Sequence, residues 1–213
     1  MTEVTVPDWL QRVADTAAED IDLVRRSAHL TGGRESAVLM LFGPSARGVT
    51  VVLTERAQTL RQHPGQVSFP GGGVDPTDDG PVAAALREAQ EEVGVDPAGV
   101  EVVGLLPQLP LSVTGFSVTP VLGWWARPRP VGVVDAAEVE RVAVVPIAEL
   151  LDPAHRFMAV HPAREFAAPA FEVGDLYVWG FTAIVLSEFF DVAGLTVPWN
   201  LEDERPVPQR FLR

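Results

Sequence analysis

The 213-residue chain contains no cysteine, which excludes disulfides, thiolate nucleophiles and sulfur-bound zinc and leaves oxygen as the expected donor for any metal. It contains no apolar run long enough to cross a bilayer and no signal-type start, so a soluble, cytoplasmic protein without a membrane partner is expected. Positive charge is scarce: 16 basic residues face 29 acidic ones, a formal charge of −13. Wrapping a polyanion such as duplex DNA needs a basic stripe, so no nucleic-acid partner is expected. A small phosphate ester is compatible with this charge, because a divalent cation and a few local arginines can reverse the field inside one pocket. With 47% apolar and 21% charged residues, no internal repeat and no dividing linker, the chain reads as one globular domain with extensions.

Residues 9–30 place Leu10, Val13, Ala14, Ala17, Ile21 and Val24 at helical spacing, and Gly32-Gly33 ends that region. An N-terminal helical extension over 1–33 is therefore expected. Residues 37–42 and 49–54 read as a hairpin of buried strands around Gly43-Pro44-Ser45 and Gly48, and 100–106 and 118–125 as further strands. Residues 138–145 lead into a strand, 146–151 form a short helix, and 176–190 give a strand end followed by a helix. The main domain spans 34–195, and the Pro-rich, charged tail 196–213 is expected to lack regular structure.

The chemistry is concentrated after Phe69, where a glycine run, Gly71 to Gly73, precedes a short helix carrying Arg87, Glu88, Glu91 and Glu92. Pro81 suits the first turn, Asp78 or Asp79 the N-cap, and Gly94 the stop. Glutamates at i, i+3 and i+4 share one helix face and repel one another unless a cation sits among them, while Leu86, Ala89 and Val93 take the opposite, core-facing stripe. Mg2+ or Mn2+ needs several oxygen ligands and completes its shell with water and substrate phosphate. A metal held there can neutralise a diphosphate and activate a water in line with phosphorus, so hydrolysis of a P–O–P bond is the expected reaction. The glycines let the loop pass close to helix and ligand, and the Arg87 fork suits orienting a carboxylate. Taken alone, such a charge run reads more readily as a solvated helix face.

The surrounding pattern decides between the two. Gly73, Arg87, Glu88, Ala89, Glu91, Glu92, Gly94 and Val95 fall in register with the Nudix box: Gly, five residues, Glu, seven residues, then Arg-Glu-apolar-any-Glu-Glu-any-Gly-apolar. Asp79 stands where the first Glu is expected, and Ala89 is smaller than the usual bulky residue. Upstream, Leu53-Thr54-Glu55-Arg56-Ala57, Leu60-Arg61, His63, Gly65-Gln66-Val67 and Phe69-Pro70-Gly71-Gly72 resemble the signature of the coenzyme A pyrophosphatase branch. Looser matches continue through 112–116, 118–121, 138–139, 146–147 and 178–183.

This resemblance implies an α/β Nudix fold, a mixed sheet between helices. It further implies hydrolysis of coenzyme A or acyl-CoA to a 4′-phosphopantetheine product and adenosine 3′,5′-bisphosphate. Glu88, Glu91 and Glu92 would hold Mg2+ or Mn2+, with Arg87 beside them and Glu138 added from a later loop as base or ligand. Gly72 and Gly73 would line the substrate. Arg56, Arg61 and His63 precede the glycine loop and could meet the 3′-phosphate of coenzyme A, His63 being better suited to a turn or core hydrogen bond. Trp124, Trp125 and Trp179 read as core, and Ser112, Thr114 and Gly115 as a local turn or a substrate loop. Many Nudix proteins form homodimers, and the sequence presents no recognisable interface. Two rival functions stay open: a Nudix hydrolase of another nucleoside diphosphate derivative, and a non-catalytic nucleotide sensor.

Overall fold

The computed structural model describes residues 5–16, 33–111, 115–162 and 166–212. The chain enters through helix α1 (Asp8–Asp15) and then makes β1 (Arg34–Ser45), β2 (Gly48–Arg56), β3 (Val67–Ser68) and β4 (Gly71–Gly73) before helix α2 (Gly80–Val93). There follow β5 (Val100–Leu105), β6 (Leu109–Leu111), β7 (Phe116–Trp125), β8 (Val139–Pro146) and the short helix α3 (Ile147–Leu151). Strands β9 (Arg156–His161), β10 (Phe166–Val173) and β11 (Leu176–Val178), helix α4 (Gly180–Val192) and β12 (Glu204–Pro206) complete the order. The continuation of the expected N-terminal helical region from Ala17, and the turn residues Ser112 and Thr114, lie outside the described residues.

The first sheet is mixed. β1 pairs in parallel with β7, from Arg34 opposite Phe116 to Phe42 opposite Trp124, and antiparallel with β2 and β4. β2 carries β8 along its other edge, while β3 pairs with the end of β2 on the same edge as β1, and β5 and β6 pair with β7. Successive residues of a strand face opposite sides, and β1 obeys this. Ala37, Leu39 and Leu41 meet Ala84, Ala85, Ala89 and Val93 of α2, whereas Met40 and Phe42 meet Leu10 and Val13 of α1 and the apolar face of α4. Both faces of β1 are thus buried, which explains its near-continuous apolar run. Phe42 stacks on Phe189 with centroids 4.7 Å apart, and Trp9 meets both rings edge-on. Trp124 and Trp125 are buried in the two layers, as core residues.

The second sheet runs β11-β10-β9-β12 and corrects the expected unstructured tail: Glu204–Pro206 pairs in parallel with β9, and a three-ten turn (Gln209–Phe211) follows. Pro169 sits within β10 opposite Met158. Met158 sends its N–H to Asp203 O on the far side (2.8 Å), so the 158/169 pair is a non-hydrogen-bonded one and proline's missing N–H costs the ladder nothing. Phe157, Tyr177 and Val207 form a small separate core on this sheet, against which Trp179 and Phe211 pack. No helix among the described residues is long and apolar enough to cross a membrane.

Candidate functional site

The glycine strand β4 and helix α2 are held together by contacts that a side chain on the strand would block. A Cβ on Gly71, which adopts φ +154°, would lie 2.3 Å from Ala37 O, and one on Gly72 would lie 2.5 Å from the Glu88 carboxyl. Gly71 N–H donates to Glu92 Oε2 at 3.0 Å. Strand and helix therefore share two glutamates at close range, and the residue type that permits it is the one with no Cβ. The helix ends at Gly94 in the left-handed region (φ +76°), with Val95 N–H reaching back to Ala89 O.

Arg87 organises the N-terminal half of this helix. Its Nε and Nη2 donate to the two oxygens of Asp78 at 3.0 and 2.9 Å, Nη2 also to Gly73 O at 3.1 Å, and Nη1 to Glu88 Oε1 and Glu91 Oε2, each at 3.0 Å. Asp78 also accepts from Asp75 N–H at 2.8 Å. The guanidinium hydrogen bonds hold the Asp78 carboxyl below the usual carboxylate range, and Asp78, foremost among the acids around it, raises Arg87 further above its ordinary value. Asp79 occupies the N-cap position without a side-chain cap bond and is exposed. The acid that fixes Arg87 is thus one residue earlier than the sequence register indicates, and it is the site residue that sequence reasoning missed. Its signal was present as a second N-cap candidate.

The three helix glutamates differ in environment. Glu92 is 4% exposed, and burial pushes its carboxyl up to about 7 despite the Gly71 N–H, with Glu88 and Glu138 adding repulsion and Arg56 opposing it. Burial also raises Glu88, against the opposing effect of Arg87. Glu91 is the outer one, its side chain 59% exposed and turned to Arg87. Among the described residues no three acidic or histidine side chains stand in coordinating geometry. Glu138 is exposed, and its charge acts on both Glu88 and Glu92, so the structure brings it to the same place. The loop before it is tied to the helix end: Val134 N–H donates to Glu92 O and Gly132 N–H to Val93 O.

Arg56 ends β2 beside Glu92, and its Nε is buried with no hydrogen-bond partner in the protein. A buried N–H of a cation left unpaired is costly, and near the buried Glu92 carboxyl, whose upward shift it opposes, it marks a place where an anion and a cation together would satisfy both groups. An oxygen-rich donor set of this kind suits a hard divalent ion. Arg61 is exposed in the bend before β3, and nothing among the described residues pairs with it. His63 adopts φ +55° and its Nδ1 lies 3.0 Å from Gln66 Oε1, a turn-stabilising contact. Trp179 packs against the second-sheet core.

The family model described as the NUDIX domain matches residues 33–167. A protein of Cronobacter sakazakii described as the uncharacterized Nudix hydrolase NudL is 44% identical over 146 residues, covering 65% of this chain and 72% of that protein. Its namesake from Klebsiella pneumoniae is 41% identical over 170 residues, covering 76% and 84%. Among solved structures, the Nudix hydrolase RenU of M. smegmatis superposes with a TM-score of 0.54 at 20% identity, over 80% of this chain and 92% of that one. A MutT/nudix family protein of Enterococcus faecalis gives 0.52 at 12%, over 88% and 74%. These two likenesses concern the fold.

Proposed function

This chain belongs to the Nudix family, and from that premise we propose that it hydrolyses the diphosphate bond of coenzyme A or its thioesters, releasing a 4′-phosphopantetheine product and adenosine 3′,5′-bisphosphate. It is a Nudix hydrolase acting on a nucleoside diphosphate derivative. The coenzyme A reading rests on the likeness of residues 53–72 to that branch's signature, and the structural observation that bears on it is at Arg56. This residue belongs to the upstream signature, and it lies beside Glu92 with a buried Nε that lacks an acceptor, which supports a substrate phosphate between them.

In this reading Glu88, Glu91 and Glu92 hold Mg2+ or Mn2+, an ion that when bound supplies charge neutralisation and lowers the pKa of a water. Arg87 keeps Glu88 and Glu91 oriented while itself held by Asp78. Gly72 and Gly73 let the diphosphate approach the helix without a side chain in the way. Arg56 stabilises charge building on the leaving phosphate, and Glu138 or one helix carboxylate takes the proton from the attacking water. Water oxygen bonds to one phosphorus, the bridging P–O bond breaks, and the second phosphate leaves.

Coenzyme A incubated with Mg2+ or Mn2+ should yield those two products by mass. Glu91→Gln and Glu92→Gln should each remove most turnover while the fold persists by circular dichroism. Preference for a diphosphate lacking pantetheine would move the chain to another substrate of the family, and ligand binding without product over hours would make it a sensor.

A further inference from the structure

A helix leaves its last carbonyls without partners inside it, and those of α2 are closed by the loop that leads to Glu138. Gly94 and Val95 N–H turn back to Gln90 O and Ala89 O, at 3.0 and 3.3 Å. The carbonyls nearest the end go to the loop: Glu92 O accepts from Val134 N–H at 2.9 Å and from Asp135 N–H at 3.4 Å, and Val93 O accepts from Gly132 N–H at 3.2 Å. The loop is thus fastened to the main chain of Glu92, whose carboxyl belongs to the site.

Residues 132–137 read Gly-Val-Val-Asp-Ala-Ala. Val133 and Val134 are 41% and 63% exposed, so burial does little to hold this loop and hydrogen bonds must. Asp135 is its one residue with a hydrogen-bonding side chain, and it makes the turn. Its Oδ1 accepts Ala137 N–H at 2.8 Å, and its carbonyl accepts Glu138 N–H at 3.3 Å and Val139 N–H at 2.9 Å. On the far side Glu138 O accepts Ala57 N–H at 2.8 Å, next to Arg56. Both main-chain groups of Glu138 are therefore fixed, one to Asp135 and one to the end of β2. Its side chain stays exposed, where its charge acts on Glu88 and Glu92.

Asp96 and Asp152 make the same turn bond, to Ala98 N–H at 3.0 Å and Ala154 N–H at 2.9 Å. Each of those opens a three-ten turn, and three residues on stand Gly99 and His155, neither of them an acid. After Asp135 the third residue is Glu138.

We infer that Asp135 is a positioning residue for Glu138, its carboxylate closing the turn that directs the Glu138 side chain towards Glu88 and Glu92. The inference deepens the proposed reaction and rests on Glu138 taking part in it as base or ligand. A reacting group displaced by about 1 Å can cost on the order of a hundredfold in rate, so a turn bond that sets its direction acts on turnover without touching substrate.

The test measures kcat and KM on the diphosphate substrate that the wild-type full chain hydrolyses, with Mg2+ present, for Asp135→Ala, Asp135→Asn, Glu138→Gln, the Asp135→Ala, Glu138→Gln double variant and Asp152→Ala. Asp135→Ala should lower kcat about tenfold, with KM little changed. Asp135→Asn, which keeps an acceptor oxygen for Ala137 N–H, should recover most of the rate, and Asp152→Ala, which removes the same bond elsewhere, should keep all of it. The double variant decides between aim and mere stability: once the Glu138 carboxylate is gone, loss of Asp135 should cost nothing further, so its kcat should equal that of Glu138→Gln. Hydrogen exchange of the free protein gives a reading apart from activity. The amides of residues 137–139 should exchange faster in Asp135→Ala and at the wild-type rate in Asp135→Asn. Losses that multiply in the double variant, or a wild-type kcat in Asp135→Ala, overturn the assignment while leaving the reaction in place. Full activity of Glu138→Gln removes Glu138 from the mechanism, and a wild type that cleaves no nucleoside diphosphate derivative removes the reaction itself; in either case the role of Asp135 falls too.

Discussion

Arg87 directs its guanidinium to Asp78, Glu88, Glu91 and the Gly73 carbonyl, so loss of its bidentate partner frees the group that orients two ligand-type carboxylates. Partners of this kind typically cost ten- to a hundredfold in activity when removed. Asp78→Asn is therefore expected to lower kcat by about tenfold or more, whereas Asp79→Asn, which removes an exposed carboxylate with no cap bond, should stay within about twofold of wild type. Steady-state kinetics on one substrate decide it, and equal loss in the two variants would contradict the assignment. The one-residue displacement also shows what spacing can and cannot convey. Inside α2 the 3.6-residue period fixes which glutamates share a face, so Glu88, Glu91 and Glu92 could be read directly. The turn before the helix has no period, and whether position 78 or 79 aims at Arg87 depends on backbone angles that counting does not supply.

Helix α2 and strands β1, β2, β5, β7 and β8 follow from local pattern, through Pro81 and Gly94 at the helix ends and apolar runs in the strands. Other elements are held by partners distant in sequence. β4 is three glycines, a poor strand composition, and becomes a strand because Ser36 to Val38 pair with it. β12 contains Pro206 and spans three residues, yet β9 recruits it and the turn after it lays Phe211 on Tyr177, ring centroids 5.5 Å apart. This tail leaves a measurable trace. Tyr177 is the chain's one tyrosine, its hydroxyl is buried without a hydrogen-bond partner, and burial, with the Glu172 charge, pushes it up to about 12. A phenol whose folded pKa is raised leaves stability intact below its unfolded value near 10 and erodes it as pH climbs towards 12. Absorbance titration at alkaline pH should show tyrosinate forming well above the free value. Phe211→Ala should bring the midpoint back towards 10, and an unshifted midpoint in the wild type would show that the tail does not seal the hydroxyl. Tyr177→Phe should flatten the alkaline loss of melting temperature.

For the molecule as a whole, an excess of acid surrounds a site in which two carboxylates are held in protein rather than in water. Glu92 is buried, Glu88 is pushed up by burial, and Glu138 repels both, so the folded state carries a local charge cost that the unfolded chain lacks. A ligand bound by the folded state alone stabilises it by mass action, about 2.7 kcal/mol at a hundred times its dissociation constant. For a chain near 200 residues that corresponds to a rise in melting temperature of roughly 5–10 °C. Mn2+ is therefore expected to raise the melting temperature of the wild type by that order and to have little effect on the Glu88→Gln, Glu92→Gln double variant. The same reasoning fixes the sign without metal. In chelator at pH 8, Glu92→Gln replaces a buried group that must either ionise or hold a proton against the solvent with a neutral one of nearly the same shape. That variant should accordingly melt at or above the wild type while being inactive. A double variant that gains as much from Mn2+ as the wild type would place the ion elsewhere on this acidic surface, and the carboxylates of α2 would then be a structural cluster.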